Sequence, residues 1–220
     1  GKASIDSCLD IAILLEPKIS IESRNNIIHD WETFENNQAA FSNLKNVGKY
    51  SILEVSFTDG NFVEPERHWT SGPDSFELEI GNFLTYSISL HDRSNHLMNL
   101  KKKWLPYYTE EQAIRRFKQT LIYCNNNLDH IPLYIKRGLY FQCFDRLYNA
   151  YKEFLQALFI NRRVYPISYD KWIKEQIVEI LKLPLLYQSL VSIFEITKFE
   201  SSEIEAKSQL LRRLMDEYFI

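Results

Sequence analysis

The stretch SIDSCLDIAILLEP, residues 4–17, places one acid, Asp10, just ahead of an apolar run from Ile11 to Leu15 that stops at Glu16-Pro17. An apolar run of this length between turn signals predicts a buried strand, with the carboxylate where the strand emerges. Alternate strand residues face the same way, so an acid two positions from Asp10 would converge with it on a shared metal. That position holds Cys8. A thiol is a soft ligand, unlike the hard carboxylate that would complete such a pair. Asp6 is the nearest acid upstream, on the same strand face but about 7 Å beyond Cys8 in an extended chain.

The elements that must position these groups fall into two halves. A helix is predicted across ISIESRNNIIHDWETFENN, where Ile19, Ile27, Ile28, Trp31 and Phe34 recur at helical spacing and Ser20 or Ser23 supplies the cap. KYSILEVSFTDG alternates, with Leu53, Val55 and Phe57 on one face and Ile52, Glu54 and Ser56 on the other, and it ends at the Asp59-Gly60 turn signal. NFVEPERHWTSGPD reads as a loop, SFELEIGNFLTYS as a short helix and SISLHD as a short strand. From Thr109 onward the pattern is helical. TEEQAIRRFKQTLIYCNNNL opens with a capping threonine and two acids, and a long apolar-periodic segment follows and stops at Pro166. A third helix stops at Pro184 and two more complete the chain. Five helices on short loops make a bundle. The expected fold class is α+β, with a small mixed-sheet domain over residues 1–100 and a helical bundle over 101–220. Gly1-Lys2 leads almost directly into the first strand, so the mixed-sheet domain is expected to be N-terminally incomplete.

Composition narrows the function classes. The 220 residues are 45% hydrophobic and 14% aromatic, which suits a globular chain with a real core. A formal net charge of −3 gives no global basic character for nucleic acid. Every apolar run is too short for a transmembrane helix, and no signal peptide opens the chain, so no membrane partner is expected. Cys8, Cys124 and Cys143 form no CxxC pair and read as reduced thiols of a cytoplasmic protein. The five histidines show no zinc spacing, and no GxGxxG, GxxxxGK[ST] or nucleophile motif is present.

An α/β piece opening on strand-borne acids and followed by a helical bundle resembles the nucleotidyltransferase superfamily with the polymerase-beta-like fold. In its motif GSxxxGxxxxxSDxDL, Gly1 matches the second motif glycine, and Ser7, Cys8, Leu9, Asp10 and Ile11 fall on the SDxDL positions. LFINRRVYPISYDKW resembles the LNRRYFP…KW signature of small aminoglycoside-nucleotidyltransferase-like proteins, and the helix before it is similar too. The resemblance covers most of the chain in patches.

What the resemblance implies is ATP or another nucleoside triphosphate as substrate, Mg²⁺ as cofactor, and transfer of a nucleoside monophosphate to an acceptor that is a small molecule, a protein or an RNA. Asp10 and Glu54 become the catalytic, metal-binding acids, Glu54 standing for the acid on the neighbouring strand. Ser7 joins the nucleotide-binding set, and Lys152, Arg162 and Lys171 are the cations for the triphosphate. A homodimer is among the partners considered. Cys8 occupies the first metal-acid position. This fits a degenerate transferase that keeps nucleotide binding, an active variant that recruits another acid such as Asp6, or a different register. A helical interaction module is the remaining alternative. Tyr165 and Trp172 are assigned to the core, and Lys101 to Trp104 to a solvated helix face.

Overall fold

The computed structural model describes residues 8–16, 18–39, 43, 53–67 and 72–219. The chain is mixed α and β but mostly helical, and its contacts divide it into two compact units. The first comprises Gly1–Phe62 and Ser89–Leu100, the second Val63–Ile88 and Lys101–Ile220.

The first unit is built on two parallel strands, β1 (Leu9–Leu14) and β2 (Leu53–Thr58), with helix α1 (Ile21–Asn37) between them in sequence. Parallel strands need a crossover connection, and α1 lies within it. The helix begins where Ser20 accepts a hydrogen bond from the Ser23 amide at 3.1 Å, which satisfies one of the first-turn donors. The strand register runs without a break from Leu9 opposite Leu53 to Leu14 opposite Thr58, and the Leu15 amide extends it by donating to the Thr58 carbonyl at 2.7 Å. Arg24 of α1 donates to the Phe57 carbonyl at 3.3 Å.

SISLHD forms no strand. Ile88 and Leu90 stay exposed, so the alternation that suggested a strand buries nothing. Asp92 serves the next helix instead, accepting from the amides of Leu97 and Met98 at the start of α2, which spans His96–Trp104.

The second unit packs a helical hairpin of α3 (Glu110–Lys136) and α4 (Tyr140–Arg162) against α5 (Pro184–Ile193) and α6 (Glu203–Tyr218). Thr109 caps α3, accepting from the Gln112 amide. The predicted end of this helix near residue 128 is passed by two turns. Pro132 lies inside it, because Leu128 and Ile131 are locked into the core and packing outweighs the lost backbone bond. Every residue of α4 from Glu153 to Ile160 is buried, the signature of a helix enclosed on all sides. It ends at Arg163, whose left-handed φ of 54° lets the Val164 amide reach back to the Phe159 carbonyl. The segment predicted as a third bundle helix is a π-helical stretch, Glu175–Ile180. A short helix, Phe76–Ile80, running into a π-helical turn at Gly81–Thr85, also belongs to this unit. Among the described residues no helix is long and apolar enough to cross a membrane.

Candidate functional site

Asp10 and Glu54 are direct register partners on β1 and β2. Paired residues of neighbouring strands project to the same side of the sheet, and the strands lie about 4.8 Å apart. The two carboxylates therefore stand side by side, and both residues are exposed. Their face continues with Ala12 opposite Ser56 and ends at Leu14 opposite Thr58, so it is less apolar than the other face, which carries Ile11, Ile13, Val55 and Phe57. The two acids thus share one face near the amino-terminal ends of both strands, exposed to solvent.

Cys8 precedes β1 by one residue and is exposed. Among the described residues no three His, Cys, Asp or Glu side chains converge on a metal position, so Cys8 does not complete a triad with Asp10 and Glu54. The donor set of two hard carboxylates still fits Mg²⁺, which is commonly held by one or two carboxylates with water and phosphate oxygens filling the rest of its shell. Ser7 and Asp6 lie outside the described residues.

The proposed phosphate cations belong to the second unit. Lys152 is half-buried on α4, its Nζ 4.9 Å from the centre of the Tyr148 ring. Arg162 is exposed in the last turn of α4, ten residues and about 15 Å further along the helix. Lys171 is exposed in the loop before the π-helical stretch. Its neighbour Trp172, assigned to the core from sequence, is 51% exposed, whereas Tyr165 is buried as expected. The expected solvation of the Lys101 to Trp104 run holds for Lys102 and Lys103, while Trp104 is buried.

Sequence reasoning missed a buried network in the second unit. Glu77 accepts from Arg116 through Nε and Nη2, from Tyr108 Oη at 2.6 Å and from Gln156 Nε2 at 2.9 Å. Arg116 also reaches Asp74 at 2.7 Å and Glu64 at 3.3 Å. A second branch pairs Arg67 with Glu153 at 3.0 Å, and Asn127 donates to the same carboxylate. Burial pushes the Glu153 carboxyl up to about 7, against the pull of Asn127 and Arg67. Burial and then the charge of Glu77 raise the Tyr108 hydroxyl far above its usual range. The signal was in α3, where Arg116, Thr120 and Asn127 occupy the same stripe as Ala113, Cys124, Leu128 and Ile131. Polar groups on an apolar stripe must find buried partners.

This network carries Asp74 and Glu77 into the helical unit, so the segment 63–88, placed with the mixed sheet by a boundary at residue 100, clusters with the helices. Two arginines, Arg67 and Arg116, face four carboxylates in it, and Asp74 Oδ2, Arg67 Nη1 and Gln156 Oε1 are buried with no hydrogen-bond partner among the described residues.

Comparison with known proteins returns no match: no family model, no curated protein and no solved structure is similar enough to the chain to assign it to a family.

Proposed function

We propose that this chain is a metal-dependent nucleotidyltransferase that moves a nucleoside monophosphate from a nucleoside triphosphate to a hydroxyl-bearing acceptor. The observation that carries this reading is the pairing of Asp10 with Glu54 across parallel strands, where both residues are exposed. The resemblance of SCLDI and NRRVYP…KW to nucleotidyltransferase motifs supports it.

Asp10 and Glu54 would hold Mg²⁺, which supplies charge neutralisation at the phosphoryl oxygens. Glu54 accepts the proton of the acceptor hydroxyl as that oxygen bonds to the α-phosphorus. The bond from the α-phosphorus to its bridging oxygen breaks, and pyrophosphate leaves with the electron pair. Asp10 shares the carboxylate charge that keeps the cation in place.

The test is pyrophosphate release from each common nucleoside triphosphate with and without Mg²⁺, by wild type, Asp10→Ala and Glu54→Ala. Either substitution is expected to slow release by about a hundredfold or more. An Asp10→Ala protein that turns over like wild type overturns the reading.

A second reading, a degenerate transferase that binds nucleotide without turning it over, is favoured by one observation. A thiol, a poor ligand for Mg²⁺, stands two residues before Asp10. A nucleoside triphosphate would then raise the melting temperature of the wild type with no pyrophosphate released.

A further inference from the structure

The loop from Ile167 to Trp172 is held by one side chain. Gln176 is fully buried, and its amide makes four hydrogen bonds to the loop backbone. Its Oε1 accepts from the amides of Ile167 at 2.6 Å and Ser168 at 3.3 Å. Its Nε2 donates to the carbonyls of Ser168 at 2.8 Å and Lys171 at 2.9 Å. Ser168 Oγ tightens the turn further, accepting from the Asp170 and Lys171 amides and donating to Asp170 Oδ1.

The residues this loop presents are Lys171 and Trp172, both exposed. Trp172 sits at φ 56°, in the left-handed region. Such a conformation is unusual for any side chain but glycine, and more so for a bulky one. The other described non-glycine residues with positive φ are Lys18, Asn95, Arg163 and Lys182, none of them aromatic. A strained backbone that buried the indole would repay its strain in packing, but this one leaves Trp172 51% exposed. Strain of this kind is retained where the surroundings over-determine it, and it points to use. Lys152 lies over Tyr148 on α4, and the Tyr148 hydroxyl is raised by burial and then by the charge of Asp170, so the loop and the Tyr148–Lys152 stretch of α4 share one electrostatic neighbourhood.

We propose that the Lys171–Trp172 loop is a preformed nucleotide-recognition loop, in which the Trp172 indole stacks on the base, Lys171 binds the phosphates, and Gln176 is the positioning residue that fixes both. Consecutive residues offering a ring and an ammonium suit a ligand with a planar ring and an anionic tail. This rests on the nucleotidyltransferase reading for the identity of the ligand, while the construction of the loop is independent of it.

The experiment titrates the full chain with ATP, and separately with inorganic triphosphate, following tryptophan emission with Mg²⁺ and with a chelator. ATP is expected to quench wild-type emission under both conditions, inorganic triphosphate is not, and Trp172→Phe removes most of the quench. Trp172→Gly relieves the backbone and removes the ring. It is expected to melt at or above the wild-type temperature while its dissociation constant for ATP rises about tenfold, the range of one base–aromatic stack. Lys171→Ala weakens ATP binding as well. The proposal is overturned if ATP affinity is unchanged in Trp172→Gly, or if that variant melts several degrees lower, which would make the tryptophan a packing residue. Loss of pyrophosphate release with the Trp172-dependent quench intact counts against the transferase reading alone. Release that persists with no Trp172-dependent quench counts against the loop alone.

Discussion

Arg116 and Glu77 form a two-pronged pair inside the helical unit, Nε to Oε1 at 2.5 Å and Nη2 to Oε2 at 2.7 Å, and both side chains are buried. Burial opposes the guanidinium charge, but the hydrogen bonds and charge of Glu77, with Asp74, more than offset it and raise the Arg116 pKa. Breaking one half of such a pair leaves the other as an uncompensated buried charge. Arg116→Ala is therefore expected to destabilise the protein by about 3–5 kcal/mol in urea unfolding. The paired change to Arg116→Met with Glu77→Leu should lose less than the sum of its parts, because the two charges leave together, while Asp74, which also pairs with Arg116, keeps part of the cost. An Arg116→Ala protein with an unshifted urea midpoint would show that the pair does not anchor the 63–88 segment.

Glu153 gives the fold a pH dependence. Its carboxyl, raised by burial from the usual 4.5 to about 7, faces Arg67 and Asn127, with the charge of Lys152 also acting on it. Between these two pH values the folded protein keeps a proton that the unfolded chain has released. Stability contributed by this group is full below about 4.5 and is lost as pH rises through about 7, by roughly 3 kcal/mol in all. Glu153→Gln should flatten that segment of the stability curve. Urea midpoints between pH 4.5 and 8 for the two proteins check it, and parallel curves would be the contrary result.

Gly81 is required by close approach. A Cβ there would lie 2.4 Å from the carbonyl oxygen of Pro166 and 3.2 Å from the Cβ of Tyr165, and backbone does not yield as a flexible side chain does. The contact is held from the same segment by Tyr86, whose hydroxyl donates to the Tyr165 carbonyl at 2.7 Å. Gly81→Ala should lower stability by about 1–3 kcal/mol, read as a shift in the urea midpoint.

Local pattern was legible in the sequence and long-range pairing mostly was not. Period-two alternation located β2, and the serine before an apolar-periodic run located the start of α1. The same alternation misled at SISLHD, because a strand needs a neighbour and nothing local reports whether one exists. Pro132 reads as a helix breaker, but the buried positions around it decide otherwise. At the candidate site, motif spacing singled out Asp10 and the resemblance suggested Glu54, while their direct pairing is set by a register between β1 and β2 that neither segment reports alone. The network around Glu77 and the exposure of Trp172 depend on contacts across 30 to 90 residues or on the shape of one loop. Neither leaves a periodic trace.

The pairing of Asp10 with Glu54 has an energetic consequence that separates a metal site from a solvated sheet face. Like charges directly opposite each other on neighbouring strands repel. Without a divalent cation, Asp10→Asn should therefore melt at or slightly above the wild-type temperature. A cation bound by both carboxylates reverses that order, since a ligand taken only by the folded state stabilises it by RT ln(1 + [L]/Kd), about 1.4 kcal/mol at a tenfold excess over Kd. Mn²⁺, a hard divalent probe, should raise the melting temperature of the wild type and leave Asp10→Asn and Glu54→Gln nearly unmoved. Calorimetric titration of the three proteins with Mn²⁺ gives the binding directly. Cys8→Asp adds a hard oxygen ligand two residues from Asp10 and should tighten Mn²⁺ binding further, provided the chain stays extended from Cys8 into β1. Equal Mn²⁺ shifts in wild type and Asp10→Asn would mean that the two acids hold no metal, and the transferase reading would lose the observation on which it stands.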